Sequence, residues 1–202
     1  MNPRSIRAAC AALVASCVAP GCVVLPVHVY VADETSGTPV YESCSLTPEL
    51  PAGVKLERAG VVAIVSIAHQ QGVNVVRVQF DLPEGSTVVL GEQTIKVDPR
   101  DGSAPREAPI PHINPAAPAR FPETPVIQKL VLPADAPLRG ARLHAGTIAF
   151  DKHYWIAAPV DGDLASEIWV SLPEVVVNGT PARFPEIHFA RRLAIGRGLF
   201  NC

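Results

Sequence analysis

Two neighbouring runs, Val61-Val-Ala-Ile-Val-Ser-Ile-Ala68 and Val73-Asn-Val-Val-Arg-Val-Gln-Phe80, constrain this chain more than any other feature. Both are dense in β-branched residues, and the second sets Val76, Val78 and Phe80 against Arg77 and Gln79. A period of two sends one face of a strand into a core and the other into water. Comparable runs lie at residues 23–31, 87–90 and 94–97, with Gly91-Glu-Gln93 expected to join the last two as a hairpin. The second half repeats the pattern at 126–132, 142–150, 153–157, 167–172, 175–177 and 186–189. Pro83-Glu-Gly85, Asp98-Pro-Arg-Asp-Gly102, Asp161-Gly-Asp163 and Asn178-Gly179 punctuate these runs as turns. Many short strands with polar turns predict an all-β fold, a β-sandwich, of which an immunoglobulin-like arrangement is one form. The sole helical candidate is a turn or two at residues 190–194.

Residues 99–125 hold eight prolines in 27 positions. Proline removes backbone donors and extends its predecessor, so this segment reads as a long loop or linker between 22–98 and 126–202. Two halves of that size are small to fold alone, which favours one sandwich built from both over two small domains. Ala119-Arg-Phe-Pro-Glu123 recurs as Ala182-Arg-Phe-Pro-Glu186, and Leu82-Pro-Glu84 as Leu172-Pro-Glu174. Their offsets differ, so no single tandem duplication explains both. Phe tucked under a sheet edge beside a strand-ending Pro accounts for the first echo without a ligand.

The N-terminus carries a different signal. Arg4 and Arg7 precede a stretch uncharged from Ala8 to Ala32 apart from His28. A short basic segment followed by an apolar one is the mark of a secretory signal. Twenty uncharged residues would also span a bilayer, but Pro20, Gly21 and Pro26 break such a helix.

Two short segments, Val14-Ala15-Ser16-Cys17 and Ala19-Pro20-Gly21-Cys22, resemble the lipobox of bacterial lipoproteins. The resemblance implies a cysteine that receives diacylglycerol and becomes the N-terminus after cleavage. The Cys17 site has the better residue types, whereas Cys22 leaves an apolar region of more usual length after removal of residues 1–21. Cleavage before Cys22 also leaves only Cys44 and Cys202, an even pair for an oxidising compartment, while cleavage before Cys17 strands Cys22. Lipid attachment is therefore expected at Cys22, with Cys17 the alternative, and a disulfide between Cys44 and Cys202. A plain secreted protein is the competing reading. In the lipoprotein family a residue other than Asp after the modified cysteine implies sorting to the outer membrane, and here that residue is Val23.

Chemistry is sparse beyond the anchor. Loss of Arg4 and Arg7 leaves 15 basic against 19 acidic side chains, a balance that argues against nucleic acid. Like charges form no block, so electrostatic docking on a membrane is not expected either. Histidines 28, 69, 112, 144, 153 and 188 lack metal spacing, and no nucleophile elbow or phosphate-cradling loop is present. No metal, cofactor or catalytic residue is expected. The richest cluster is Asp151-Lys-His-Tyr-Trp155, where His153 and Trp155 share one strand face and Lys152 and Tyr154 the other. His153 and Trp155 are thus either core or an aromatic platform for an envelope protein or glycan. A hydrolase using converging carboxylates among Asp151, Asp161, Asp163 and Glu167 is the alternative. Fragmentation of the N-terminal peptide of membrane-purified protein is expected to show a chain starting at Cys22 with a diacylglycerol mass; one still carrying Met1 would rule out cleavage.

Overall fold

A computed structural model describes residues 24–41, 47–70, 72–115, 131–141, 143–145, 148–150 and 152–197. Cys17, Cys22, Cys44, Cys202 and Asp151 lie outside them. The fold is all-β. In chain order the first strands are β1 (Val24–Ala32), β2 (Thr38–Val40), β3 (Gly53–Arg58), β4 (Val61–Gln70), β5 (Val73–Asp81), β6 (Thr87–Leu90) and β7 (Thr94–Asp98). The middle of the chain supplies β8 (Arg106–Pro109), β9 (Asn114–Pro115), β10 (Leu138–Arg139), β11 (Leu143–Ala145) and β12 (Ile148–Phe150). The last are β13 (His153–Val160), β14 (Glu167–Ser171), β15 (Val175–Val177), β16 (Thr180–Ala182) and β17 (Ile187–Arg197). Among the described residues the only helical element is a 3-10 turn, Glu34–Ser36, and no helix is long and apolar enough to cross a membrane.

The strands form a six-stranded sheet in the order β2-β3-β4-β5-β13-β9, a five-stranded sheet β1-β17-β14-β7-β8, a four-stranded sheet β10-β6-β15-β16, and the pair β11-β12. The described residues hold seventeen strands, more than the seven to nine of an immunoglobulin sandwich. One core joins the three larger sheets, with Val65, Val78, Phe80 and Ile156 from the first, Ile95, Ile168 and Phe189 from the second, and Val88, Leu138 and Val175 from the third. Each such side chain contributes roughly 1.5–3 kcal/mol when fully buried. The period of two in residues 73–80 places Val76, Val78 and Phe80 inside, as the sequence predicts. Antiparallel pairing of β13 with β5, from His153↔Asp81 to Val160↔Asn74, joins segments on either side of the proline-rich stretch.

Several local expectations are corrected. Residues 87–90 and 94–97 are strands but not a hairpin. Both edges of β6 are taken, by β10 and β15, so β7 enters the other sheet beside β14. Gly91 N–H donates to the Glu174 carbonyl at 2.7 Å, extending the β6–β15 pairing before the chain crosses. Residues 190–194 belong to β17, because pairing with β1 along that whole segment outweighs the helix propensity of Ala, Arg and Leu. Residues 142–150 hold two short strands rather than one. The proline-rich segment is not wholly loop, since Arg106–Pro109 pairs with β7 and Asn114–Pro115 with β13. Both are edge strands, where a missing donor costs nothing. The edge strands β1, β2 and β16 likewise carry Pro26, Pro39 and Pro181.

Turn chemistry follows the residues. Asn178 and Gly179, at φ 50° and 85°, form the two-residue connection that closes Val177 on Thr180. The Asn178 side chain also accepts from Thr87 N–H at 2.8 Å, tying this hairpin to β6. Phe184 of the second Arg-Phe-Pro echo packs on the core, with its ring 6.2 Å from that of Phe80. Gly140 is required for a different reason. Its N–H donates to the Ser86 carbonyl and its carbonyl accepts from Gly85, each at 2.8 Å, and a Cβ there would lie 1.6 Å from the Pro83 carbonyl. Gly140→Ala is expected to cost about 1–3 kcal/mol by forcing these backbones apart, read as a lower urea midpoint.

Candidate functional site

Alternation along β13 decides which aromatic fills the core. Tyr154, Ile156, Ala158 and Val160 are buried, while Trp155 lies outward with 44% of its surface exposed. Tyr154 is therefore the core filler. Its hydroxyl donates to the Arg139 carbonyl at 2.8 Å and accepts from Arg139 N–H at 3.0 Å, fastening β13 to β10. Register then builds the outer face. Trp155 sits between Gln79 of β5 and Asn114 of β9, and the same cross-strand row continues through Ile64 of β4 to Lys55 of β3. In the next row His153 faces Asp81, with Nδ1 2.5 Å from Oδ1 and the carboxylate accepting. Gln79 Nε2 donates to the same Oδ1 at 2.8 Å. One carboxylate thus orients two of the polar neighbours of the indole, Gln79 and His153. Sequence reasoning brought His153 and Trp155 to one face; their partners Asp81, Gln79 and Asn114 become visible only through pairing.

A cleft of about 530 Å³ opens elsewhere, lined by Val27, Val29, Ile67 and Leu164 with His28, Tyr30, His69, Asn74, Asp163 and Arg191. Its rim is the loop after β13. Tyr30 donates to the Ala165 carbonyl at 2.7 Å, and Asn74 Nδ2 to the Gly162 carbonyl at 3.2 Å. Burial raises the Tyr30 phenol above its ordinary value, against the opposing pull of Arg191 and with a smaller push from Asp163. Burial likewise raises Tyr154, countered by the Arg139 backbone.

A third cluster was not foreseen from sequence. On the five-stranded sheet Trp169 and His188 stack at 4.5 Å between centroids and 17° between planes, and the Arg100 guanidinium lies 4.6 Å from the indole centre. Arg100 also donates to Glu186. His188 stands 3.6 Å from Asp33 and 3.8 Å from Glu167. Hydrogen bonds from Thr35, with a lesser one from His188, hold the Asp33 carboxyl below its usual range. Three residues from distant segments share no sequence spacing, so no motif could have announced them.

The carboxylates of the hydrolase reading are divided among different neighbours. Glu167 lies beside His188, Asp163 lines the cleft, and Asp161 uses its backbone carbonyl to accept from Arg106 at 2.6 Å. Among the described residues no group of three or more His, Cys, Asp or Glu is placed to hold a metal. Neither a family model, nor a curated protein, nor a solved structure matches the chain.

The raised phenols set a pH dependence. Tyr30 and Tyr154 ionise more readily in the unfolded chain, so their contribution is complete below about pH 10 and lost as pH climbs toward the folded values. Urea titrations between about pH 8 and about pH 11 are expected to show a plateau followed by a decline, and Tyr30→Phe should make that decline shallower.

Proposed function

We propose that this chain is a non-catalytic lipoprotein of a bacterial envelope, tethered through Cys22, whose Trp155 face binds an envelope glycan. The exposed indole of Trp155 in the middle of a polar cross-strand row is the observation that carries the reading. A sugar ring offers a flat C–H face to an indole and hydroxyls around its rim, and Gln79, Asn114 and His153 supply amide and imidazole groups at that rim. The platform lies on rigid strands rather than loops, and the Asp81 carboxylate fixes two of its polar side chains before any ligand arrives. Little ordering is then left for the moment of binding.

The anchor rests on the signal and lipobox residues. Two or more acyl chains hold a protein on a bilayer where one is marginal, so such a module would sample glycan only within reach of its membrane. Trp155→Ala is the direct test. The residue is exposed, so the thermal midpoint is expected to move little, whereas co-sedimentation with purified peptidoglycan or lipopolysaccharide should weaken about tenfold. Equal sedimentation of both forms, or none by either, would overturn the glycan reading.

A further inference from the structure

Strand β17 outruns its neighbour. Its pairing with β14 ends at Ala190, whereas β1 accompanies it from Phe189 to Arg197. Residues 24–29 and 192–197 therefore form a two-stranded ribbon with no third strand alongside among the described residues. Neither β1 nor β17 contains an acidic residue, while β17 brings Arg192 in the ribbon and Arg191 at its base, both exposed. The whole chain has a formal charge of −2, so the ribbon is a basic element of a mildly acidic chain, with Val27, His28 and Val29 lining the cleft shared with Ile67. Leu193, opposite His28, is 69% exposed, the highest value among the exposed large hydrophobics of the described residues.

We propose that this ribbon lies against an anionic phospholipid bilayer, an inference that rests on the lipid-anchor reading for its geometry. Alternation sets Arg191 beside Leu193 on one face and Arg192 on the other, which fits the headgroup region, with guanidinium groups on phosphate oxygens and the leucine at the acyl boundary. Proximity follows from chain length. Val23 alone separates Cys22 from Val24, a reach of at most about 7 Å over two Cα steps, so a lipid on Cys22 would hold the ribbon at headgroup depth. The ribbon and the acyl chains then act as two membrane signals on one element. Arg191 and Arg192 alone are too short a run to stand out in the sequence. Strand pairing reveals them by showing that β1 sets no carboxylate opposite them, the nearest acidic neighbours being Glu167, across from Ala190, and Asp163 in the cleft that Arg191 lines.

The test is hydroxyl-radical footprinting of the membrane-purified protein, reconstituted either in phosphatidylcholine vesicles or in vesicles that also contain phosphatidylglycerol. Oxidation of Leu193 is expected to fall severalfold on the anionic vesicles, with Trp155 unchanged as an internal standard. Arg191→Gln with Arg192→Gln should return Leu193 to its neutral-vesicle level, as should high salt. Lys96→Gln, an exposed site on another strand, should not. Equal Leu193 oxidation on both vesicle types, in protein shown by mass to be acylated, would overturn the ribbon surface and leave the anchor standing. An unacylated N-terminus with Leu193 still protected on added anionic vesicles would sink the anchor and retain the surface.

Discussion

The antiparallel register between β5 and β13 is the constraint on which the rest of the molecule depends. It sets Tyr154, Ile156 and Ala158 opposite Phe80, Val78 and Val76 inside the core, and leaves His153 and Trp155 beside Asp81 and Gln79 outside. A slip of one residue would reverse every side chain of β13. It would bury an indole with an imidazole and strand a phenol that now satisfies both backbone groups of Arg139. Because Arg139 belongs to the four-stranded sheet, the same hydroxyl ties two sheets together. The ladder is also one of five that place the chain before the proline-rich segment next to the chain after it, with β1–β17, β6–β10, β6–β15 and β7–β14.

Much of this was legible in the residues themselves. The alternation of 73–80 and the Asn178-Gly179 turn correspond to a buried face and a tight connection, because local geometry alone decides both. Other features depend on partners that no local window contains. Gly91-Glu-Gln93 is a serviceable hairpin loop, and only the occupation of both β6 edges sends the chain across instead. Alternation groups His153 with Trp155 but leaves open whether that group faces core or water; burial of Tyr154 answers it. The Arg100, Trp169 and His188 stack is a product of tertiary folding altogether.

Two polar groups at the candidate face, His153 and Gln79, are held by Asp81. Asp81 accepts from both His153 and Gln79, so the donors beside Trp155 have fixed directions. Such an arrangement suits recognition of a shape.

The prolines on the sheet margins bear on how such molecules live beside one another. Pro26, Pro39, Pro109, Pro115 and Pro181 lie on five of the six outermost strands of the three large sheets, and Pro137 directly precedes the sixth, β10. Outermost strands are where one copy could extend its hydrogen-bonded ladder into the next. Under the proposed lipid anchor, copies would meet on a single surface at high local concentration, where repeated sideways encounters would favour such growth. A proline on or beside each of these margins withholds a donor at the place of contact. Such a population could then stay dense without its members fusing into a continuous sheet.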